Sequence, residues 1–169
     1  MVVIIFGVSG AGKTTVGKLL AQQLGWHFHE ADDFHSRANI EKMHRGVPLT
    51  DEDRWPWLDS LRDLIKRCVE ARQNAVLACS ALKRAYREHL RVSEEVKFVF
   101  LRGDYAPIAK QLHRRRGHFM NLALLRSQFA DLEEPKPDED VVTIELGLTP
   151  ERLVEEIKTK LHLYQHGLD

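Results

Sequence analysis

Apolar residues along the chain fall into short unbroken runs separated by longer stretches in which they recur every three or four positions. Residues 2–6, 75–79, 96–101 and 141–146 are runs of strand length rich in Val, Ile and Phe, and 26–30 reads as a shorter strand leading into an acidic patch of Glu30, Asp32 and Asp33. Continuous apolar strands suit burial on both faces of a parallel sheet, where neither face has to be polar. Helical spacing fills the gaps. Val16, Leu19, Leu20 and Leu24 mark one inward face, and Leu58, Leu61, Leu64, Ile65 and Cys68 mark another, behind a cap at Thr50 or Asp51 with Pro56 tolerated early. Further helices are predicted over 40–45, stopped by Gly46-Val47-Pro48, and over 81–91, 106–116, 122–132 and 150–164. The last of these, with Leu153, Val154, Ile157, Leu161 and Tyr164, suits either core or an interface. Strands alternating with helices predict an α/β fold: one parallel five-stranded sheet, helices on both faces, and ligands at the carboxyl ends of the strands.

Bulk composition narrows the partners more than the fold. A chain of 169 residues suits a single domain. With 25 basic and 25 acidic side chains the formal net charge is zero, so nothing global draws the protein to nucleic acid or to an anionic membrane, and a small-molecule partner is expected. Cys68 and Cys79 form no disulfide framework and have no metal-ligand spacing, which points to a reducing, cytoplasmic setting. The five-residue N-terminal apolar run is too short for a signal peptide or a membrane span.

The chemistry begins where the first strand ends. Gly7-Val8-Ser9-Gly10-Ala11-Gly12-Lys13-Thr14 fits G-x-x-x-x-G-K-[ST] without mismatch, and Thr15 continues into the helix. Gly7 and Gly12 let backbone N–H groups turn inward around phosphate oxygens, and the helix points its positive dipole end at the same anion. Lys13 supplies a mobile charge for the β- and γ-phosphates, and the Thr14 hydroxyl is a ligand for Mg²⁺. This predicts a nucleoside triphosphate site, with ATP the expected nucleotide. Asp32 and Asp33, at the end of the neighbouring strand, are candidates for the acid that a kinase needs beside an acceptor hydroxyl; the alternative is a helix cap. Ser80 and Lys83 follow the third strand. Arg114, Arg115 and Arg116, read as the end of one helix before the Gly117 hinge, predict a lid over about 112–125 that carries cations to the phosphates. Adjacent helical residues point about 100° apart, so at most two of the three face the nucleotide. Arg115 or Arg116 then meets the transferring phosphate, and Arg114 lies against the adenine.

Three longer stretches resemble the gluconate kinase family. ADDFHSRANIEKMHRGVPLTDEDRWPWL, from Ala31, is similar to its Gly-Asp-Asp-x-His, Asn-x-x-Lys-Met and Asp-Arg-x-Pro-Trp-Leu elements. CSALKRAYREHLR, from Cys79, is similar to its Cys-Ser-Ala-Leu-Lys segment, and GHFMNLALLRSQFADLEEP, from Gly117, to its lid and the helix after it. The resemblance implies a phosphate-loop kinase fold with a helical lid, and ATP-dependent phosphorylation of D-gluconate at its terminal hydroxyl. It implies Lys13, Asp32 and Arg116 as catalytic residues, and His35, Arg54, Ser80, Lys83 and His118 as acceptor contacts along with Asp32. Arg54 is the first choice for the carboxylate because guanidinium and carboxylate match bidentately; the alternative is an ion pair with Asp51 or Asp53. A homodimer is likewise implied by the resemblance alone. Two positions depart from the family pattern: Ala31 replaces a usual glycine and Ser36 a common proline. A shikimate kinase or nucleoside monophosphate kinase would share loop and sheet but not the stretches after Ala31 and Cys79. A GTP switch would need Asn-Lys-x-Asp and Asp-x-x-Gly elements, which the sequence lacks.

Overall fold

A computed structural model of the chain describes residues 1–115 and 122–164. Five parallel strands, β1 (Val2–Phe6), β2 (His27–Glu30), β3 (Ala75–Cys79), β4 (Val96–Arg102) and β5 (Val141–Glu145), lie in the order β2-β3-β1-β4-β5. From β1 the chain passes to the edge strand β2, returns to β3 between the two, then crosses to β4 and β5 on the other side. β1 therefore sits where the winding reverses, the place where an open parallel sheet leaves a crevice at its carboxyl edge. Register sharpens this: Phe6 lies beside Cys79 on one side and Phe100 on the other. The loops that start at Gly7, Ser80 and Gly103 thus leave from one edge.

Side chains alternate between two cores. Val3 and Ile5, with Val76, Val99 and Leu101, face α1 (Lys13–Leu24), α5 (Tyr105–Arg114) and α7 (Pro150–Leu161) through Val16, Leu20, Ile108, Leu153 and Ile157. Val2, Ile4 and Phe6, with Leu77, Phe98 and Phe100, face α3 (Asp51–Glu70) and α4 (Arg84–Leu90) through Leu58, Leu61, Ile65, Tyr86 and Leu90. Both faces of β1 are buried throughout, as its unbroken apolar run requires. Leu153, Val154 and Ile157 make α7 a core helix. α1 lies flat on the sheet because residue 17 is glycine: a Cβ there would stand 2.8 Å from Cε2 of Phe28. α6 (Leu122–Asp131) closes the same edge. No helix among the described residues is long and apolar enough to cross a membrane.

Four predicted helices begin or end elsewhere, each for a local reason; α7 stops at Leu161, where His162 turns into the left-handed region at φ 54°. α2 (Arg37–His44) starts three residues earlier than periodicity suggests, because Ser36, the departure from proline, accepts a bond from the Asn39 N–H and caps it. α4 starts at Arg84 instead of residue 81. Ala81 is held in the left-handed region at φ 38°, and the Arg87 guanidinium donates to the carbonyls of Ala81 and Leu82, so this turn belongs to the sheet edge. α5 stops at Arg114 and Arg115 is extended, so the arginines do not share one helix end. Arg116, Gly117, His118 and Phe119 lie outside the described residues. α3 begins as expected, with Thr50 and Asp53 forming a reciprocal capping box.

Candidate active site

The crevice at the carboxyl edge is lined by Ser9, Gly12, Lys13 and Thr14 of the phosphate loop, Glu30, Asp32 and His35 behind β2, Arg54 and Trp57 of α3, Ser80 and Leu82 behind β3, Arg115, and Leu124, Ser127 and Gln128 of α6. Of the residues singled out in the sequence, Lys13, Thr14, Asp32, His35, Arg54 and Ser80 meet here. Arg114 is exposed and does not line this cleft.

Loop conformation follows from its glycines. Gly12 adopts φ 93° immediately before α1, and Gly7, at φ 151°, leaves no room for a side chain: a Cβ there would stand 2.9 Å from the Leu101 carbonyl oxygen. Lys13 folds back over the loop, and its Nζ donates to the Val8 carbonyl at 3.0 Å. Burial pushes the Lys13 ammonium down from its ordinary pKa, while the carboxylates of Asp32 and Glu30 pull it back up. The Thr14 hydroxyl donates to Glu30, whose carboxyl is itself raised, chiefly by burial, against the opposing Thr14 bond. Glu30, only part of the acidic patch in the sequence, thereby joins the site; its position at a strand end next to Asp32 was the available signal, although β2 is not the neighbour of β1 as expected, since β3 lies between them.

The side facing the acceptor rests on stacked and bonded side chains. Trp57 is buried, donates its indole N–H to the Ala31 carbonyl at 2.7 Å, and stacks on His35 with centroids 4.2 Å apart and planes 13° from parallel. Burial pushes the His35 imidazole down to about 4, with the Asp32 carboxylate opposing and the Arg54 charge reinforcing the shift. His35 is therefore a neutral ring at pH 7, able to donate or accept one hydrogen bond. Ala31, where a glycine is usual, is fully buried in the core beneath the site, so its methyl faces apolar packing. Trp55, by contrast, is exposed and meets Tyr86 and His89 edge-on.

Arg54 has a different partner from either one considered in the sequence. Its Nη1 donates to the Tyr86 hydroxyl at 3.1 Å and its Nη2 to Asp131 Oδ2 at 3.0 Å, across α3, α4 and α6. Asp53 instead takes Lys42 at 2.8 Å. Lys83 turns onto Asp51 at 3.0 Å and is not among the cleft's lining residues. Asp51 also accepts from the Tyr86 hydroxyl. On α6, Gln128 accepts a bond from the Ser9 N–H at 2.6 Å, so one helix touches both the phosphate loop and Arg54. Gln128 and Asp131 were missed because neither matters until α6 is docked; their three-residue spacing on one face, with Leu124, was the signal. Beneath them Arg87, 1% exposed, pairs with Glu139 and donates to the Glu133 carbonyl at 2.9 Å, which anchors the chain leaving α6. Cys79, whose thiol burial pushes up to about 12, is inert.

A second groove adjoins the loop on the α5 side, lined by Gly12, Thr15, Arg102, Gly103, Ile108, Arg115, Gly147, Leu148 and Pro150 among others. Arg115 borders both it and the cleft.

A phosphate cradle with an acid and cations facing it across a cleft serves phosphoryl transfer to a small acceptor, and sheet order and loop are those of a phosphate-loop kinase. The family described as shikimate kinase matches residues 9–161. A gluconokinase from Gluconobacter oxydans is 48% identical over 155 residues, covering 91% of this chain and 87% of that protein. Among solved structures, an unliganded sugar kinase from a Janibacter species superposes with a TM-score of 0.90 at 45% identity, over 96% of this chain and 94% of that one. A gluconokinase from Sinorhizobium meliloti superposes with a TM-score of 0.80 at 36% identity, over 97% of each chain. The chain belongs to the shikimate kinase family of phosphate-loop kinases and, within it, to the gluconokinases.

Proposed function

We infer that the protein transfers the γ-phosphoryl group of ATP to the terminal hydroxyl of D-gluconate, giving 6-phospho-D-gluconate and ADP. The observation that carries this reading is the convergence of Lys13, Asp32 and Arg54 on one cleft in a chain so similar to a gluconokinase. Backbone N–H groups of Gly10 and of residues 12–15, with the Lys13 ammonium, take the β- and γ-phosphates, and the groove between Gly103 and Pro150 takes the base. Asp32 accepts the hydroxyl proton as the phosphoryl group arrives. Arg54 receives the carboxylate of the acceptor, with His35 and Ser80 available to its hydroxyls. Arg115, on the border of cleft and groove, is placed to meet the phosphate chain.

Mg²⁺ fits this donor set. The Thr14 hydroxyl gives its proton to Glu30, which leaves its oxygen lone pairs for a cation, and Glu30 and Asp32 add hard carboxylate oxygens. Mg²⁺ takes most of its ligands from phosphate and water, so few protein donors are needed. When bound, the ion neutralises charge on the phosphates. Two buried free thiols suit a cytoplasmic enzyme.

Incubation of the pure protein with ATP and Mg²⁺ against gluconate, shikimate and nucleoside monophosphates, following ADP release, tests the assignment. Rapid turnover with gluconate alone is expected. Turnover of shikimate or a nucleotide in preference to gluconate overturns it.

A further inference from the structure

The arginine assigned to the acceptor's carboxylate already holds a carboxylate. Arg54 Nη2 lies 3.0 Å from Asp131 Oδ2, with the arginine side chain 10% and the aspartate side chain 29% exposed. The second partner of the guanidinium, the Tyr86 hydroxyl, gives its own proton to Asp51 and so accepts from Arg54 as a neutral group. Asp51 is in turn engaged by Lys83. Among the described residues, Asp131 is therefore the one anion in direct contact with Arg54. A guanidinium has five N–H donors, so these two bonds do not exhaust it, and Arg54 still lines the cleft.

We propose that Asp131 is a positioning residue that acts through Arg54, setting the affinity for an anionic acceptor by competing with it for the guanidinium. The proposal rests on the gluconate reading above. In the empty site Asp131 compensates a buried cation that would otherwise lack an anion in contact. When an acid enters, two carboxylates share one guanidinium, and their mutual repulsion weakens acceptor binding. Orientation is the competing role, and it is the smaller one: Arg54 is also fixed by Tyr86 and by burial, so loss of one anchor leaves its direction largely set.

Asp131→Asn removes the charge and keeps both the shape and an oxygen that accepts from Nη2. The KM for gluconate is expected to fall roughly three- to tenfold, the range for releasing a half-buried charge pair, while kcat and the KM for ATP stay within about twofold of the parent. In an Arg54→Gln background the same substitution should leave the KM for gluconate unmoved, because its route of action is gone. Asp131→Ser, measured in parallel, covers the case in which the asparagine variant does not fold. An unchanged or raised KM for gluconate in a folded variant that binds ATP normally overturns the proposal. So does an equal fall in the Arg54→Gln background. Failure of the parent enzyme to phosphorylate gluconate sinks the functional reading itself, and is seen before any variant is made.

Discussion

The two walls of the cleft are made of different material. The nucleotide wall is backbone: nine consecutive residues from Gly7 to Thr15 whose carbonyls, N–H groups and glycine torsions make the cradle, with a single charged side chain, Lys13. The acceptor wall is side chain. His35, Trp57 and Arg54 line it, Tyr86 and Asp131 stand behind Arg54, these five come from four separate segments, and the Arg54–Asp131 pair spans 77 positions of sequence. A backbone site tolerates little change in its spacing but asks nothing of the rest of the chain beyond a strand before it and a helix after it. A side-chain site asks for the whole fold. Substitutions on the two walls should accordingly fail in different ways.

The largest effect is expected at the one side chain the nucleotide wall cannot replace. Lys13→Ala should give a folded protein with almost no kinase activity, because no other residue of the Gly7 to Thr15 loop carries a charge to meet the β- and γ-phosphates. Near-normal ADP release from this variant breaks the comparison at its root. Asp32→Asn comes next: kcat should drop roughly 10²–10⁴-fold with ATP affinity nearly retained, whereas a mere helix cap would tolerate asparagine with little change in activity. Turnover and nucleotide binding on one preparation separate the two roles.

Stability experiments sharpen the contrast beneath the acceptor wall. Removing Arg87 by Arg87→Met strands the buried Glu139 carboxylate and frees the carbonyls of Ala81, Leu82 and Glu133, so unfolding should become easier by about 3–5 kcal/mol. Replacing Glu139 by Gln in the same chain should recover part of that loss. On the nucleotide side the comparable weak point is steric. Gly17→Ala drives a methyl against Phe28 and should cost about 1–3 kcal/mol as α1 lifts or the ring turns, both measurable by denaturant titration. The last effect, confined to acid pH, is at His35. Its folded pKa of about 4 lies below the unfolded value near 6.5, so the unfolded chain takes up the proton first. Its contribution is flat above pH 6.5, erodes stability as pH falls from there to about 4, and is flat again below. His35→Phe, which keeps a ring on Trp57, should flatten that part of the stability–pH curve.

Reading the sequence against the structure shows the same division. All five strands, the phosphate loop and the capped start of α3 were legible, because each depends on residues within about ten positions of itself: an apolar run, glycines at fixed offsets, Thr50 before Asp53. Candidate acids and cations were legible as residue types placed at strand ends. Their partners were not. For Arg54 the alternative to an acceptor contact was an acid of its own helix turn; docking of α6 supplied Asp131 as the ion-pair partner, and Arg54 still lines the cleft. Lys83 was expected in the site and is drawn to Asp51. Arg114, Arg115 and Arg116 were expected to end one helix, yet α5 stops at Arg114 and Arg115 is extended.

Local sequence by itself thus determined the strands, the order of elements, the phosphate cradle and, through it, the class of reaction, since backbone torsion and apolar periodicity are properties of neighbours in the chain. Only the tertiary structure decided the sheet order, the burial that depresses His35, the bond between Gln128 and the loop, and the anion that Arg54 holds. Those depend on groups that meet only after the chain has closed around its two cores, where low dielectric and fixed distance decide which charges pair.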